Sequence, residues 1–162
     1  MKIAIVSDSH DNLENVGKAF EKIKELGCQE VIHCGDLISP FILDKMNDYG
    51  LKVHIIFGYQ DVNFATLSNI YEKDLNIIFY KDFGILAVGN KKIFFIHNDK
   101  LAKEIAENGK YDVVFYGHNH LKKIETIGKT LFVNPGELMG RKANPSIAVY
   151  DTETNKAEII EL

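Results

Sequence analysis

Lys2-Ile3-Ala4-Ile5-Val6 is an apolar, β-branched run that stops abruptly at Ser7-Asp8-Ser9-His10, and the chain repeats this device. Val31-Ile32-His33-Cys34 gives way to Gly35-Asp36, Ile93-Phe94-Phe95-Ile96 to His97, and Val113-Val114-Phe115-Tyr116 to Gly117-His118-Asn119-His120. Short apolar runs without polar alternation read as strands buried on both faces. Each of these ends on an Asp or a His, and that pairing of buried strand with polar terminus constrains the chain more than any other feature.

The segments between the strands supply helices. Asn12 is an expected N-cap for a helix over residues 13–26, with Leu13, Val16, Ala19, Phe20, Ile23 and Leu26 at helical spacing and Gly27 to end it. A second helix is expected at 41–48, between strands at 30–34 and 52–57. This βαβαβ opening implies a parallel sheet with right-handed crossovers. Beyond Asp61 the sequence predicts a short helix at 64–70 and strands at 77–80, 85–88 and 92–96. Gly89-Asn90 marks the hairpin between the last two. A helix at 100–108, a strand at 113–116, then strands at 122–126, 130–133 and 146–150, with a further one at 157–162, close the pattern. No linker, repeat or low-complexity tract interrupts it, so one mixed α/β domain over 1–162 is expected.

Composition sets the limits on partners. The net charge is −4, Arg141 is the sole arginine, and no lysine run exceeds two residues. A broad basic surface for nucleic acid is therefore excluded. The two cysteines, Cys28 and Cys34, are too few for a disulfide framework or a thiolate zinc site. No run reaches the ~20 apolar residues of a membrane span, and the first apolar run is too short for a signal peptide. A reduced, cytoplasmic protein without membrane partners is the expectation; a homo-oligomer is left open.

In open α/β sheets ligands collect at the carboxyl ends of strands, so Asp8, His10, Asp36, His97, His118 and His120 are placed to converge. Carboxylate and imidazole together suit divalent ions such as Mn, Ni, Fe or Zn. The i, i+2 spacings Asp8-x-His10 and His118-x-His120 send two side chains toward one centre. Six ligands are too many for one tetrahedral ion, whereas two ions ~3.5–4 Å apart sharing a carboxylate form a recurrent hydrolytic device. Asp36, after the Gly35 turn, is the natural bridge. Filling both positions would add as much positive charge as the chain carries net negative, so an acidic protein can present a positive pocket to a phosphate.

Asp8-Ser9-His10, Gly35-Asp36, His97 and Gly117-His118-Asn119-His120, in this order, resemble the calcineurin-like metallophosphoesterase superfamily, and in particular its small single-domain prokaryotic phosphodiesterases. Asn134-Pro135-Gly136 resembles a motif near the carboxyl end of these enzymes. The resemblance implies two mixed β-sheets packed as a sandwich flanked by helices. It implies two divalent transition-metal ions, manganese first: Asp8, His10 and His120 on one, His97 and His118 on the other, Asp36 between them. It also implies hydrolysis of small or activated phosphodiesters by in-line attack of a metal-bound hydroxide.

Two motifs depart from the family. Gly58-Tyr59-Gln60-Asp61 stands where Gly-Asn-His-Asp or Gly-Asn-Asn-Asp is usual. The second metal position thus lacks an amide ligand unless Gln60, on a longer arm, supplies one. A general-acid His is also absent at position 60, so the leaving-group proton must come from water or elsewhere, where a general acid typically contributes ~10²–10⁴ in rate. His97-Asn98-Asp99 replaces His-Gly-His, and Asp99 is expected to cap the next helix. These departures keep alive a second reading, a weakened scaffold or binding module on the same fold (a retromer subunit shares that architecture), and a third, a phosphomonoesterase. His33 and His54, inside apolar strands, are expected to be satisfied core histidines, and Arg141, near the Asn134-Pro135-Gly136 loop, to be a solvated surface residue, with contact to a phosphate as the alternative.

Overall fold

The computed structural model describes residues 1–61 and 76–162; the helix expected at 64–70 lies outside the described residues. The chain first alternates strand and helix: β1 (Lys2–Val6), α1 (Leu13–Glu25), β2 (Glu30–His33), α2 (Phe41–Asn47), β3 (Lys52–Ile55) and β4 (Ile77–Phe79). There follow β5 (Phe83–Val88), β6 (Lys91–Ile96), α3 (Asp99–Glu107), β7 (Val113–Tyr116), β8 (Lys123–Ile127), β9 (Thr130–Asn134), β10 (Ser146–Asp151) and β11 (Lys156–Glu161).

These strands form two mixed sheets, ordered β11-β10-β1-β2-β3-β4 and β5-β6-β7-β9-β8. In the first, β1 to β4 run parallel, as the βαβ opening requires, and β10 returns antiparallel against β1. In the second, β6, β7 and β9 are parallel between two antiparallel edges. The β5–β6 hairpin turns at Gly89, whose φ of 59° suits glycine.

Period-two alternation explains why the strands are apolar throughout. Ala4, Val6 and Val31 face Val16, Phe20 and Ile23 of α1 and Ile42 and Met46 of α2. Their neighbours Ile3, Ile5 and Ile32 face the other way, into a layer shared with Ile93, Phe95, Val113 and Phe115 of the second sheet. Phe94, Ile96, Val114 and Tyr116 then pack on Ala102 and Ala106 of α3. Helix, sheet, sheet and helix thus stack in four layers, and every central strand is covered on both sides.

The caps hold one correction. Asn12 caps α1 as expected, accepting the Asn15 N–H at 3.0 Å. The cap of α3 is Asn98, whose side chain accepts the Leu101 N–H at 2.9 Å, and not Asp99. Asp99 lies inside the first turn, where its carboxylate suits the positive end of the helix, and it accepts from the Asn119 amide at 3.2 Å. A neutral amide at the N-cap serves as well as a carboxylate.

Candidate metal centre

The loops after β1 and β2 are bound together: the N–H of Asp8 donates to Gly35 O at 3.0 Å and that of His10 to Asp36 O at 3.1 Å. The 138–139 segment, in the loop between β9 and β10, closes on the same loop, with Leu138 N donating to Ser7 O and Met139 N to Asp8 O. Within this frame Asp8, His10, Asp36, His118 and His120 adopt left-handed φ of 52°, 41°, 58°, 72° and 65°. Non-glycine residues rarely do so, at a cost of order 1–3 kcal/mol each, and such strain persists where the surroundings over-determine it. Five of the six candidate residues carry it.

The side chains converge in two overlapping groups. Ligand atoms of Asp8, His10 and His120 all lie within 4.8 Å of one another, and so do those of Asp8, Asp36 and His97. Asp36 Oδ2 sits 3.7 Å from His10 Nε2 and 3.4 Å from His97 Nε2, between the two groups. His120 Nε2 is 3.4 Å from Asp8 Oδ1. His118 is the exception: it is exposed, and its ring lies edge-on to His97 at 5.2 Å, outside both groups. Asp8 Oδ1, His10 Nε2 and His97 Nε2 are buried without a hydrogen-bond partner. Buried polar atoms are rarely left so, and three acceptors converging on one small volume fit divalent cations.

The tautomers agree. His97 Nδ1 is 2.7 Å from the Cys34 carbonyl, which can only accept, so Nδ1 carries the proton and Nε2 offers its lone pair. His120 Nδ1 pairs with the carboxylate of Glu137, which fixes that ring in the same sense. Glu137 is wholly buried, and its other oxygen accepts the N–H groups of Lys142 and Ala143. Nothing in the reading of the motifs singled it out. Its one trace was an acidic residue directly after Asn134-Pro135-Gly136 and before apolar Leu138. His33 and His54 are core histidines: His33 bonds Ser9 and Gly35, and His54 bonds Tyr80 and Glu30.

Burial pushes the Asp8 carboxyl up, although Ser7 and the neighbouring imidazoles oppose it. Burial raises Asp36 too, but the ring of His97, whose Nε2 lies 3.4 Å from Oδ2, the Gln60 N–H at 3.0 Å and His10 outweigh it and lower the carboxyl. His97 moves the other way: burial lowers it, and the carboxylates of Asp36 and Asp8 more than restore it. Burial works against the charge of Asp8 beside the second carboxylate of Asp36, so a cation between them is their natural partner.

Close approach explains the glycines of the motifs. A Cβ on Gly117 would stand 2.0 Å from Ser7 Oγ and 2.7 Å from Asp8 Oδ2; one on Gly58 would stand 2.1 Å from Asp36 Oδ1. The Gly58-Tyr59-Gln60-Asp61 departure now has a geometry. Asp61 binds backbone amides, Gln60 is exposed, and the Tyr59 ring lies edge-on to both His97 and His118 at 5.4 and 5.0 Å. The Tyr59 hydroxyl accepts from the Asn98 amide, away from the buried acceptors. A cavity of about 400 Å³ opens over the cluster, lined by His10, Asp36, His118 and His120 together with Arg141 and Lys142.

The calcineurin-like phosphoesterase superfamily domain matches residues 1–155. The chain belongs to that superfamily. Membership makes it a phosphoric ester hydrolase of a metal-dependent family acting on small phosphoesters. Among its relatives is the phosphodiesterase MJ0936 of Methanocaldococcus jannaschii, 34% identical over 168 residues, covering 100% of this chain and 99% of that one. A solved archaeal phosphodiesterase superposes with a TM-score of 0.91 at 32% identity, covering both chains completely. Vps29 of Chaetomium thermophilum gives a TM-score of 0.72 at 16% identity over 100% of this chain and 97% of its own, a likeness of fold alone. The expected α/β architecture of two mixed sheets with flanking helices is thus both observed in the chain and shared across the superfamily. Among the described residues no helix is long and apolar enough to cross a membrane.

Proposed function

We propose that this phosphoesterase is a metal-dependent phosphodiesterase acting on small or activated diesters. The observation that carries the reading is the set of three buried, unpartnered acceptors, Asp8 Oδ1, His10 Nε2 and His97 Nε2, facing one another beneath an open cavity. Asp8, His10 and His120 would hold one divalent ion, and Asp36 and His97 a second, with Asp36 shared. His118, one side of the cavity, joins the second site only if its ring turns inward. Manganese is the first expectation, with nickel, iron and zinc as alternatives. Such ions, when bound, supply a Lewis acid for the phosphoryl oxygens and a source of hydroxide at neutral pH.

The chain's own residues do the rest. Cys34 O and Glu137 fix the tautomers of His97 and His120, so both rings present Nε2 without reorganisation. Against the push of burial, His97, the Gln60 N–H and His10 lower the Asp36 carboxyl, which favours its ionised form. No histidine stands at position 60, and a leaving-group proton drawn from water or from elsewhere penalises poor leaving groups most. Free, buried Cys28 and Cys34 accord with a reducing, cytoplasmic setting.

An aryl phosphodiester assayed with Mn and Ni in turn tests this reading. Wild type should turn over, and Asp8→Ala and Asp36→Ala should lose the activity; equal rates in all three would reject it. A matched monoester distinguishes the phosphomonoesterase. The packing of Tyr59 against His97 and His118 favours a second reading, a scaffold with weakened catalysis. Two ions per chain with turnover would dismiss it, and one or none without turnover would support it.

A further inference from the structure

The cavity over the metal centre is not uniform. One side is formed by the 137–143 segment, which brings Arg141 and Lys142 to the rim. Both side chains are exposed, and among the described residues neither forms an ion pair, whereas Lys122 and Lys123 are neutralised by Glu161 and Glu125. Arg141 is also the only arginine in the chain, and a guanidinium is the side chain suited to bidentate contact with a phosphate.

The segment that carries these cations is built as rigidly as the metal loops. Leu138 and Met139 donate to Ser7 and Asp8 carbonyls at 3.0 and 2.9 Å. The Asn15 and Asn12 amides, from the start of α1, donate to Leu138 O at 2.8 Å and Met139 O at 3.0 Å. Gly140 turns with φ 72°, and a Cβ there would stand 3.0 Å from the Asn15 amide. Finally, Glu137 accepts the Lys142 and Ala143 N–H groups with one oxygen and pairs with His120 through the other. One buried carboxylate therefore sets both a candidate metal ligand and the loop that bears the two cations. Loops that only connect strands need no such anchoring.

We propose that Arg141 and Lys142, fixed to the metal centre through Glu137, form an anion-recognising rim, so that the preferred substrates are phosphodiesters whose non-scissile arm carries a further phosphate or carboxylate. The inference rests on the phosphodiesterase reading and narrows its substrate class. A neutral-armed aryl diester then reaches the metals but leaves both cations unused.

Two arms test it. In the first, metal-loaded protein is given the p-nitrophenyl ester of thymidine 5′-phosphate with and without a 3′-phosphate. At low ionic strength kcat/KM should favour the 3′-phosphorylated diester by about five- to tenfold, the scale of two exposed charge pairs. The ratio should fall toward one in the Arg141→Gln, Lys142→Gln double variant and at high salt. Equal rates in wild type, or a ratio that survives the double substitution, would overturn the proposal. In the second, the metal-free protein is titrated with thymidine 3′,5′-bisphosphate by ¹⁵N NMR, where the single arginine gives one unambiguous Nε–H resonance. A saturable shift of that resonance, absent with thymidine, supports the rim; an unmoved resonance counts against it. Should the metal-loaded protein cleave no diester at all, the phosphodiesterase reading fails, and the Nε–H titration alone decides whether the rim binds anions.

Discussion

The backbone N–H of Asp36 donates to the Asp61 carboxylate at 3.0 Å, while the Asp36 carboxylate accepts the N–H of Gln60, beside Asp61, also at 3.0 Å. The two aspartates hold each other's loops. Asp61 accepts further N–H groups from Gly58 at 2.7 Å, Leu37 at 2.5 Å and Ile38 at 2.8 Å. Asp61 therefore ties the loops after β2 and β3 into one unit. Asp61→Ala strands four donors in a half-buried position, and we expect a loss of about 2–4 kcal/mol in urea unfolding. A loss below about 0.5 kcal/mol would show that water replaces the carboxylate without cost.

Glu137 acts on the centre through His120. Glu137→Gln keeps the shape but removes the charge, and Glu137→Ala removes both. Metal affinity measured by calorimetry should fall by about 10–100-fold in the alanine variant, the usual effect of losing such a partner, and by less in the glutamine variant. Unchanged affinity in both would show that His120 is oriented by packing alone.

Gly117 has no room for a methyl group beside Ser7 and Asp8. Gly117→Ala should displace the Asp8 carboxylate and lower metal affinity by at least about tenfold, a 1.4 kcal/mol effect, while the far-UV circular-dichroism spectrum of the whole protein stays that of the wild type. Wild-type metal binding by this variant would contradict the close approach of the two loops.

Metal should stabilise the native state by mass action. At an ion concentration a hundredfold above Kd the gain is about 2.7 kcal/mol. Chelation should lower the melting temperature accordingly, and in Asp36→Asn the response to added Mn should shrink. A chelator-insensitive melting temperature in wild type would count against any tight site.

His33 sets a pH dependence. It is wholly buried, and burial first, with the His97 charge second, lowers it from 6.5 to about 3. Its Nδ1 accepts the Gly35 N–H, so the proton sits on Nε2 toward Ser9, and a second proton would confront a donor. The folded state thus binds fewer protons than the unfolded chain between these values, and stability rises with pH across that window and levels above about 6.5. The slope from this residue is at most about 1.4 kcal/mol per pH unit. In His33→Gln the unfolding free energy should depend less on pH between 4 and 6 by about that amount; parallel profiles for the two proteins would refute the assignment.

Local physics made much of this protein legible in its sequence. Asn12 and Asn98-Asp99 announced helix starts because capping acts within one turn, although which of Asn98 and Asp99 caps was decided by how the chain enters α3. Apolar runs announced doubly covered strands, and their termini marked Asp8, His10, Asp36, His97, His118 and His120 as candidate ligands, because the carboxyl ends of parallel strands lie along one edge of the sheet. What the sequence could not express is distance across the fold. That His118 lies beside His97 but outside both groups, that Asp8 belongs to each, and that Glu137 reaches His120 from seventeen residues away all follow from the docking of separate loops. The left-handed backbone of five candidate ligands is of the same kind: no local preference of Asp or His demands it, and it holds only because the two sheets bring their loops together and fix them with shared hydrogen bonds.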